Sequence, residues 1–547
     1  MRVAEAVGRA VCELGAEHVF GVIGSGNLEV SNALRAAGAR FVHARHECAA
    51  VCMADGYARV SGRVGVATCH QGPGLTNAAT GLTEAAKART PLLLLAADTS
   101  AAAVRSNFRI DQRGLVEACG GVSERVHSTR SLSEDVHRAW RRAAIERRTV
   151  ALMLPLDVQA GEVDTTGRPQ PPLVPHRPAP SSAAVGQVAD LITEAQRPAI
   201  VAGRGAVLAD AREPLRRLGE RIGAVLATSA NGNGLFAGDP HAVGISGGFA
   251  SPLAAELLCS ADLLLGFGAS LNMWTTRHGT LVGDDARVVQ IDVNPEALGA
   301  QRLIDVGVVA DAALAADALL DELDRRGHRA EGFRGGDLAD RIATGGWRRQ
   351  ALKDASTAST IDPRSLSIAL DELLPSDRTV AIDSGHFMGW PAMYLNVPDA
   401  AGFVFNQSYQ SIGLGLGAAI GAAVARPDRL TVVALGDGGA IMALGELETA
   451  AHLEVPLLVV VYNDAAYGAE VHHFGPMGEP VDLVRFPDPD LAAYGRAAGG
   501  DGVTVRSAAD LQPVEDWLAD PHGLLVVDAK ITPTVVAEWL QEAFRAH

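Results

Sequence analysis

Two acidic residues in the last third of the chain have the types and spacing of a metal site. Asp437 stands in Gly436-Asp437-Gly438-Gly439 and Asp464 in Asn463-Asp464, 27 positions later. The apolar run LTVVAL precedes the first and LLVVVY the second. Each acid therefore falls at the C-terminal end of a buried strand, and the interval is that of one strand–helix–strand crossover. Glycines beside Asp437 let a phosphate approach the backbone, and the helix that follows offers free N–H groups and a positive dipole end. Two hard carboxylate ligands can hold Mg²⁺ against a diphosphate. Gly-Asp-Gly-Gly alone is an ordinary strand-to-helix turn; the downstream Asn-Asp at crossover distance makes the pair a site.

A third carboxylate stands in a different setting. In RHECAAVCMADGYAR, Glu47 opens a helix of Ala, Cys and Met, an uncommon place for an ionisable side chain, although a helix dipole also stabilises a Glu in the first turn. Two Gly-rich loops, 21–27 with Ser25 and 68–77 with His70, follow strands on the same side. His70 titrates near neutrality and suits proton transfer. Glu470, His472 and His473 follow Asp464 closely, and since adjacent helical residues point in different directions, at most one of the two histidines reaches a common site. Gln112 is equally consistent with an active-site loop and with local hydrogen bonding.

Three α/β blocks must position these residues. Short apolar runs alternate with helical patterns: VFGVI, VGVATC, LLLLAAD and VALML; then PAIVAG, DLLLGFG and VVQIDV; then TVAID, LTVVAL, LLVVVY and LLVVDA. Such runs between helices predict parallel sheets covered on both faces, with ligands at the strands' C-terminal ends. Blocks one and three could be two copies of one topology. Six prolines mark the joint at 161–182, and a softer, partly helical joint spans 327–346. The 547 residues carry a net charge of −17, and their three lysines, Lys87, Lys353 and Lys530, lie far apart. That balance argues against a nucleic-acid partner. No apolar stretch reaches the ~20 residues a bilayer requires, and the first residues pattern as an amphipathic helix rather than an export signal, so a cytoplasmic location is expected. Six cysteines without a Cys-x-x-Cys pair predict neither a disulfide framework nor a structural zinc.

The Gly-Asp-Gly followed by Asn-Asp resembles the thiamin-diphosphate (ThDP) motif. The likeness extends over nearly the whole chain, to the superfamily of acetolactate synthase, benzoylformate decarboxylase and pyruvate decarboxylase. It implies Mg²⁺ ligation by Asp437, Asp464 and the Ala466 carbonyl, with Asp464 at a place where Asn is usual. Gly436, Gly438, Gly439, Gly385 and His386 would line the diphosphate end, as would Asp383 and Ser384. Ile412, 25 positions before Asp437, would prop the bent coenzyme, with the Gln410 carbonyl and Ile412 N–H on its pyrimidine edge. Glu47 would activate the coenzyme through a ring nitrogen, with Ser25, His70 and Glu470 as further catalytic residues.

The resemblance also implies three domains: an N-terminal pyrimidine-binding domain (1–165), a Rossmann-like central domain (183–328) and a C-terminal diphosphate-binding domain (350–547), with ThDP clasped between subunits of a dimer or tetramer. The Arg-Phe-Asp-Asp-Arg stretch of FAD-binding relatives is replaced by Ser270-Leu271-Asn272-Met273-Trp274, which puts FAD in doubt. The function so implied is decarboxylation of a 2-oxo acid, the remaining fragment being protonated to an aldehyde or joined to a second carbonyl. Its rivals are an acetolactate synthase joining two 2-oxo acids and a ThDP-binding homologue without turnover. His70 and Glu470 favour the first reading.

Overall fold

The computed structural model describes residues 1–163, 176–453 and 455–543. Most of the Pro-rich joint lies outside them. Among the described residues the strands form three six-stranded sheets, every neighbouring pair parallel. The first contains β1 (His18–Gly21), β2 (Arg40–His43), β3 (Gly65–Cys69), β4 (Leu92–Asp98), β5 (Val122–Arg125) and β6 (Thr149–Pro155). The second contains β7 (Pro198–Ala202), β8 (Val225–Thr228), β9 (Ala242–Ile245), β10 (Leu263–Phe267), β11 (Arg287–Asp292) and β12 (Val306–Val309). The third contains β13 (Arg378–Ile382), β14 (Phe403–Phe405), β15 (Leu430–Gly436), β16 (Leu457–Asn463), β17 (Asp501–Val505) and β18 (Leu524–Lys530). Their inner strands are buried along nearly their whole length, as continuous apolar runs between helices demand.

Sheets one and three share one topology. Their orders, β2-β1-β3-β4-β6-β5 and β14-β13-β15-β16-β18-β17, are the same when each is counted from its own first strand. The middle sheet, β12-β11-β10-β7-β8-β9, has the doubly wound Rossmann order. In sheets one and three the chain reverses its direction of winding between the first and third strands, so crevices open beyond β1/β3 and beyond β13/β15. The loops with Ser25 and His70 leave the first crevice, and those with Asp383 and Asp437 the second.

Helices Glu47–Ser61 and Gly415–Ala425 weld the two outer sheets into one core. Bare glycines allow their backbones to touch: a Cβ on Gly56 would strike the Ala418 carbonyl and one on Gly421 that of Met53. The softer joint contains the helix Leu338–Gly345. No helix of the described residues is long and apolar enough to cross a membrane.

Candidate active site

At the β13/β15 crevice, Asp437 follows β15 directly and Asp464 follows β16 directly. Asp437 is 2% exposed. Its Oδ1 accepts the Gly438 N–H at 2.9 Å and its Oδ2 the Ala466 N–H at 3.2 Å, so one carboxylate orders both the glycine turn and the Asn-Asp loop. Burial, followed by the charge of Asp464, pushes Asp437 up to about 7. Burial also pushes Asp464 up to about 6. Ala465, the residue after Asp464, holds φ at 55°, a left-handed conformation costly for a residue with a side chain. A buried and a half-buried carboxylate, the second beside a strained residue, fit a hard divalent cation such as Mg²⁺.

A cavity of about 890 Å³ opens over this pair. Its walls include Gly385, His386, Gln410, Ile412, Gly436, Asp437, Gly438, Gly439, Asp464, Ala466 and Glu470. His386 is 4% exposed, and its Nε2 accepts the Ala537 N–H at 2.9 Å. The neutral ring must then carry its proton on Nδ1, which makes Nδ1 a donor suited to a phosphate oxygen. Burial lowers His386 to about 3, so that neutral state holds at ordinary pH. Gln410 has φ 60°, and the Ser384 hydroxyl lies 3.4 Å from its carbonyl.

Asp383 stands behind the diphosphate end, against Gly439, rather than lining it as expected. It does not line the cavity; fully buried, it accepts the N–H groups of Gly413, Leu414 and Gly415 at 2.7, 3.1 and 3.1 Å. Three backbone donors satisfy the carboxylate where it stands, and in doing so fix the turn that presents Ile412.

Ser25, Glu47 and His70 assemble at the β1/β3 crevice and are not among the residues lining that cavity. Glu47 opens its helix, with Oε2 accepting from Asn77 Nδ2 at 2.9 Å. His70 Nδ1 accepts the Gly26 N–H at 3.1 Å, which leaves the proton of the neutral ring on Nε2. Burial lowers the His70 pKa, and Glu47 opposes that shift. A Cβ on Gly74 would stand 3.2 Å from His70 Cβ and 3.3 Å from Glu47 Oε1, so bare backbone lets both side chains share one mouth. Ser25 is exposed beside Gly26. Gln112 proves to be a brace: buried, it accepts the Gly72 N–H at 2.7 Å and donates to the Ala97 carbonyl at 2.9 Å.

The cavity continues along the middle sheet past Arg204, Ser270, Asn272 and Trp274, and Trp539 from the C-terminal segment packs on Trp274. Sequence reasoning overlooked that last segment because Trp539 and Ala537 follow the final strand without a motif of their own.

Two doubly wound sheets of one topology, one ending in an acid–histidine mouth and the other in a carboxylate pair, define a class of enzyme that handles a diphosphate-bearing coenzyme. Family models match along the chain: the N-terminal TPP binding domain of thiamine pyrophosphate enzymes over residues 1–117, their central domain over 185–319, and their C-terminal TPP binding domain over 383–529. A protein of Pseudomonas aeruginosa described as a probable 2-ketoarginine decarboxylase is 32% identical, over 93% of this chain and 90% of its own. A sulfoacetaldehyde acetyltransferase of Alcaligenes xylosoxydans xylosoxydans is 29% identical over 91% and 87%. The acetolactate synthase large subunit of Parasynechococcus marenigrum is 30% identical over 93% and 85%. The chain belongs to the thiamine pyrophosphate enzyme family and is a ThDP-dependent enzyme of the superfamily expected from its motifs.

Proposed function

We propose that this enzyme decarboxylates a 2-oxo acid with ThDP and Mg²⁺, and then protonates the remaining fragment to an aldehyde or joins it to a second carbonyl. The pair of buried Asp437 and half-buried Asp464 at the ends of β15 and β16 carries the reading. These two side chains and the Ala466 carbonyl would hold Mg²⁺. Gly436, Gly438, Gly439, Gly385 and His386 would bind the diphosphate, with Gln410 and Ile412 on the pyrimidine. Bound there, ThDP supplies the electron sink that decarboxylation requires.

The chain's own residues supply the proton chemistry. Glu47, with Oε2 engaged by Asn77, keeps Oε1 to take up or give a proton. His70 delivers a proton from Nε2 while the Gly26 N–H holds the ring. Glu470, on the helix Gly468–Phe474, is the second proton-transfer group, and Ser25 orients substrate. FAD has no assigned part.

A homodimer completes the site in this reading, because each chain opens its acid–histidine mouth apart from its diphosphate cavity. Exposed apolar side chains flank both halves and support a second copy as the cover: Leu28, Phe108 and Ile110 near the first, Ile441, Met442 and Tyr467 near the second. The three domains would be 1–165, 183–328 and 350–547. Incubation with ThDP, Mg²⁺ and single 2-oxo acids, followed by mass analysis, tests the proposal. Carbon dioxide with an aldehyde or a mixed ligation product is expected. Acetolactate from pyruvate alone would favour the acetolactate synthase reading, and coenzyme binding without turnover of any acid would defeat both.

A further inference from the structure

Helix Glu47–Ser61 begins with an incomplete cap. Its N-cap, His46, accepts the Cys48 N–H on Nδ1 at 3.2 Å, but the third helical position, where a Glu would reach back to the N-cap N–H, is Ala49. The missing carboxylate comes from the other coenzyme-binding domain. Glu446, 2% exposed, accepts the backbone N–H groups of Arg45 and His46 on one oxygen, Oε1, at 2.9 and 3.0 Å. Its Oε2 lies 2.8 Å from Thr449 Oγ1, which is itself 3.1 Å from the His43 carbonyl. Gly445 lets the segments meet: a Cβ there would stand 3.2 Å from Arg45 Cβ.

The opposite arrangement occurs at the other half-site. Glu84, 1% exposed and on the helix Ala79–Lys87, accepts the N–H groups of Ser408 and Tyr409 at 3.1 and 2.6 Å. Arg59 Nη2 balances its charge at 3.2 Å. Gln410, in its left-handed conformation, comes next, and Ile412 two residues later. A buried carboxylate anchored at both oxygens moves little, and two N–H bonds to one acceptor fix a peptide's orientation as well as its position.

We infer that Glu446 and Glu84 are positioning residues, a reciprocal pair of carboxylate clamps: Glu446 aims the helix start that bears Glu47, and Glu84 aims the loop that bears Gln410 and Ile412. The inference rests on the roles proposed above for those residues. Neither carboxylate lines the cavity, and they hold different segments, so the two should fail differently. Glu446→Ala should leave ThDP affinity intact while proton handling suffers; Glu84→Ala should weaken affinity.

The test uses full-length protein with ThDP and Mg²⁺ and three readouts. These are deuterium exchange at the coenzyme's C2 by acid quench and NMR, ThDP affinity by tryptophan fluorescence, and amide exchange of the coenzyme-free protein over residues 43–50 by mass spectrometry. Glu446→Ala is expected to slow C2 exchange by about ten- to a hundredfold at saturating ThDP and to deprotect 43–50. Glu446→Gln, which keeps an acceptor oxygen, should restore both. Glu84→Ala should weaken ThDP binding roughly tenfold, with exchange per bound coenzyme preserved. Should Glu446→Ala not fold, Thr449→Val, which frees one oxygen of the clamp, must slow C2 exchange by a measurable part of that loss. Wild-type C2 exchange in Glu446→Ala or in a substituting Thr449→Val would overturn the clamp, as would a Glu446→Gln as impaired as Glu446→Ala. If the wild-type protein itself shows no C2 exchange, the proposed function fails instead, and unchanged protection of 43–50 in Glu446→Ala would then separately refute the clamp.

Discussion

The Asp383 carboxylate accepts the backbone N–H of Gly413 at 2.7 Å, tying the end of β13 to the turn that carries Ile412. Complete burial pushes its pKa up to about 6, from 3.8 in the open chain, against the pull of four backbone N–H groups, those of Gly413, Ser384, Gly415 and Leu414.

The folded protein therefore holds this proton more tightly than the unfolded chain does. Its contribution to stability declines as pH rises from about 4 to about 6 and is level above, a change of about 3 kcal/mol. Asp383→Asn removes that decline but turns an amide donor toward a backbone N–H, either at Gly413 or at Leu414 and Gly415. Urea unfolding of the coenzyme-free protein should show wild type losing stability relative to the variant across this window. ThDP affinity of the variant should fall as the Ile412 turn loosens. Parallel pH profiles would contradict this account of Asp383.

Glu47→Gln separates position from proton transfer. Its amide oxygen can still accept from Asn77 Nδ2, so the side chain keeps its place while the reactive oxygen becomes an amide group. Turnover is expected to drop by roughly two orders of magnitude with ThDP affinity little changed. Steady-state kinetics beside a binding titration will tell, and an unaltered rate would remove Glu47 from the chemistry.

Much of this architecture is legible in the sequence because the inner strands, such as Leu92–Asp98 and Leu457–Asn463, are buried on both faces and read as unbroken apolar runs. The edge strands Arg40–His43, Val306–Val309 and Asp501–Val505 are partly exposed and carry charged or glycine residues, so no such run marks them. At the site, the Gly-Asp-Gly and Asn-Asp pair is local and stands out. Glu446 is not: its partner peptide lies 401 positions away, and nothing in its neighbourhood distinguishes it from a helix-surface Glu. Asp383 was legible as important but not in its task, since only the topology brings residues 413–415 to it.

Gly24 offers a way to displace His70 without changing its chemistry. A Cβ there would come within 2.8 Å of the imidazole Cγ and 2.9 Å of Nδ1. Gly24→Ala should therefore push the ring off the Gly26 N–H and lower kcat/KM by about tenfold or more. His70→Ala should lose at least as much. The double variant should be no worse than His70→Ala alone, because both changes act on one group. Additive losses in that cycle would show that Gly24 serves something else.

The Asp437 and Asp464 pair predicts opposite effects with and without metal. Both carboxylates are raised by burial, and the charge of Asp464 further disfavours ionisation of Asp437, so at pH 8 the metal-free protein bears two poorly solvated charges it would be more stable without. Asp464→Asn should then raise the melting temperature of the metal-free enzyme, yet require roughly tenfold more Mg²⁺ to retain ThDP, because one anionic ligand is gone. Asp437→Ala must do worse in the loaded state. It deletes a ligand and also the acceptor for the Gly438 and Ala466 N–H groups, so the Asn-Asp loop loses its anchor and coenzyme retention should vanish at any Mg²⁺ concentration. Thermal melts with and without Mg²⁺ and ThDP, alongside equilibrium dialysis of the coenzyme, separate these outcomes. A variant at either position that matched wild type in both states would mean that the metal is held elsewhere.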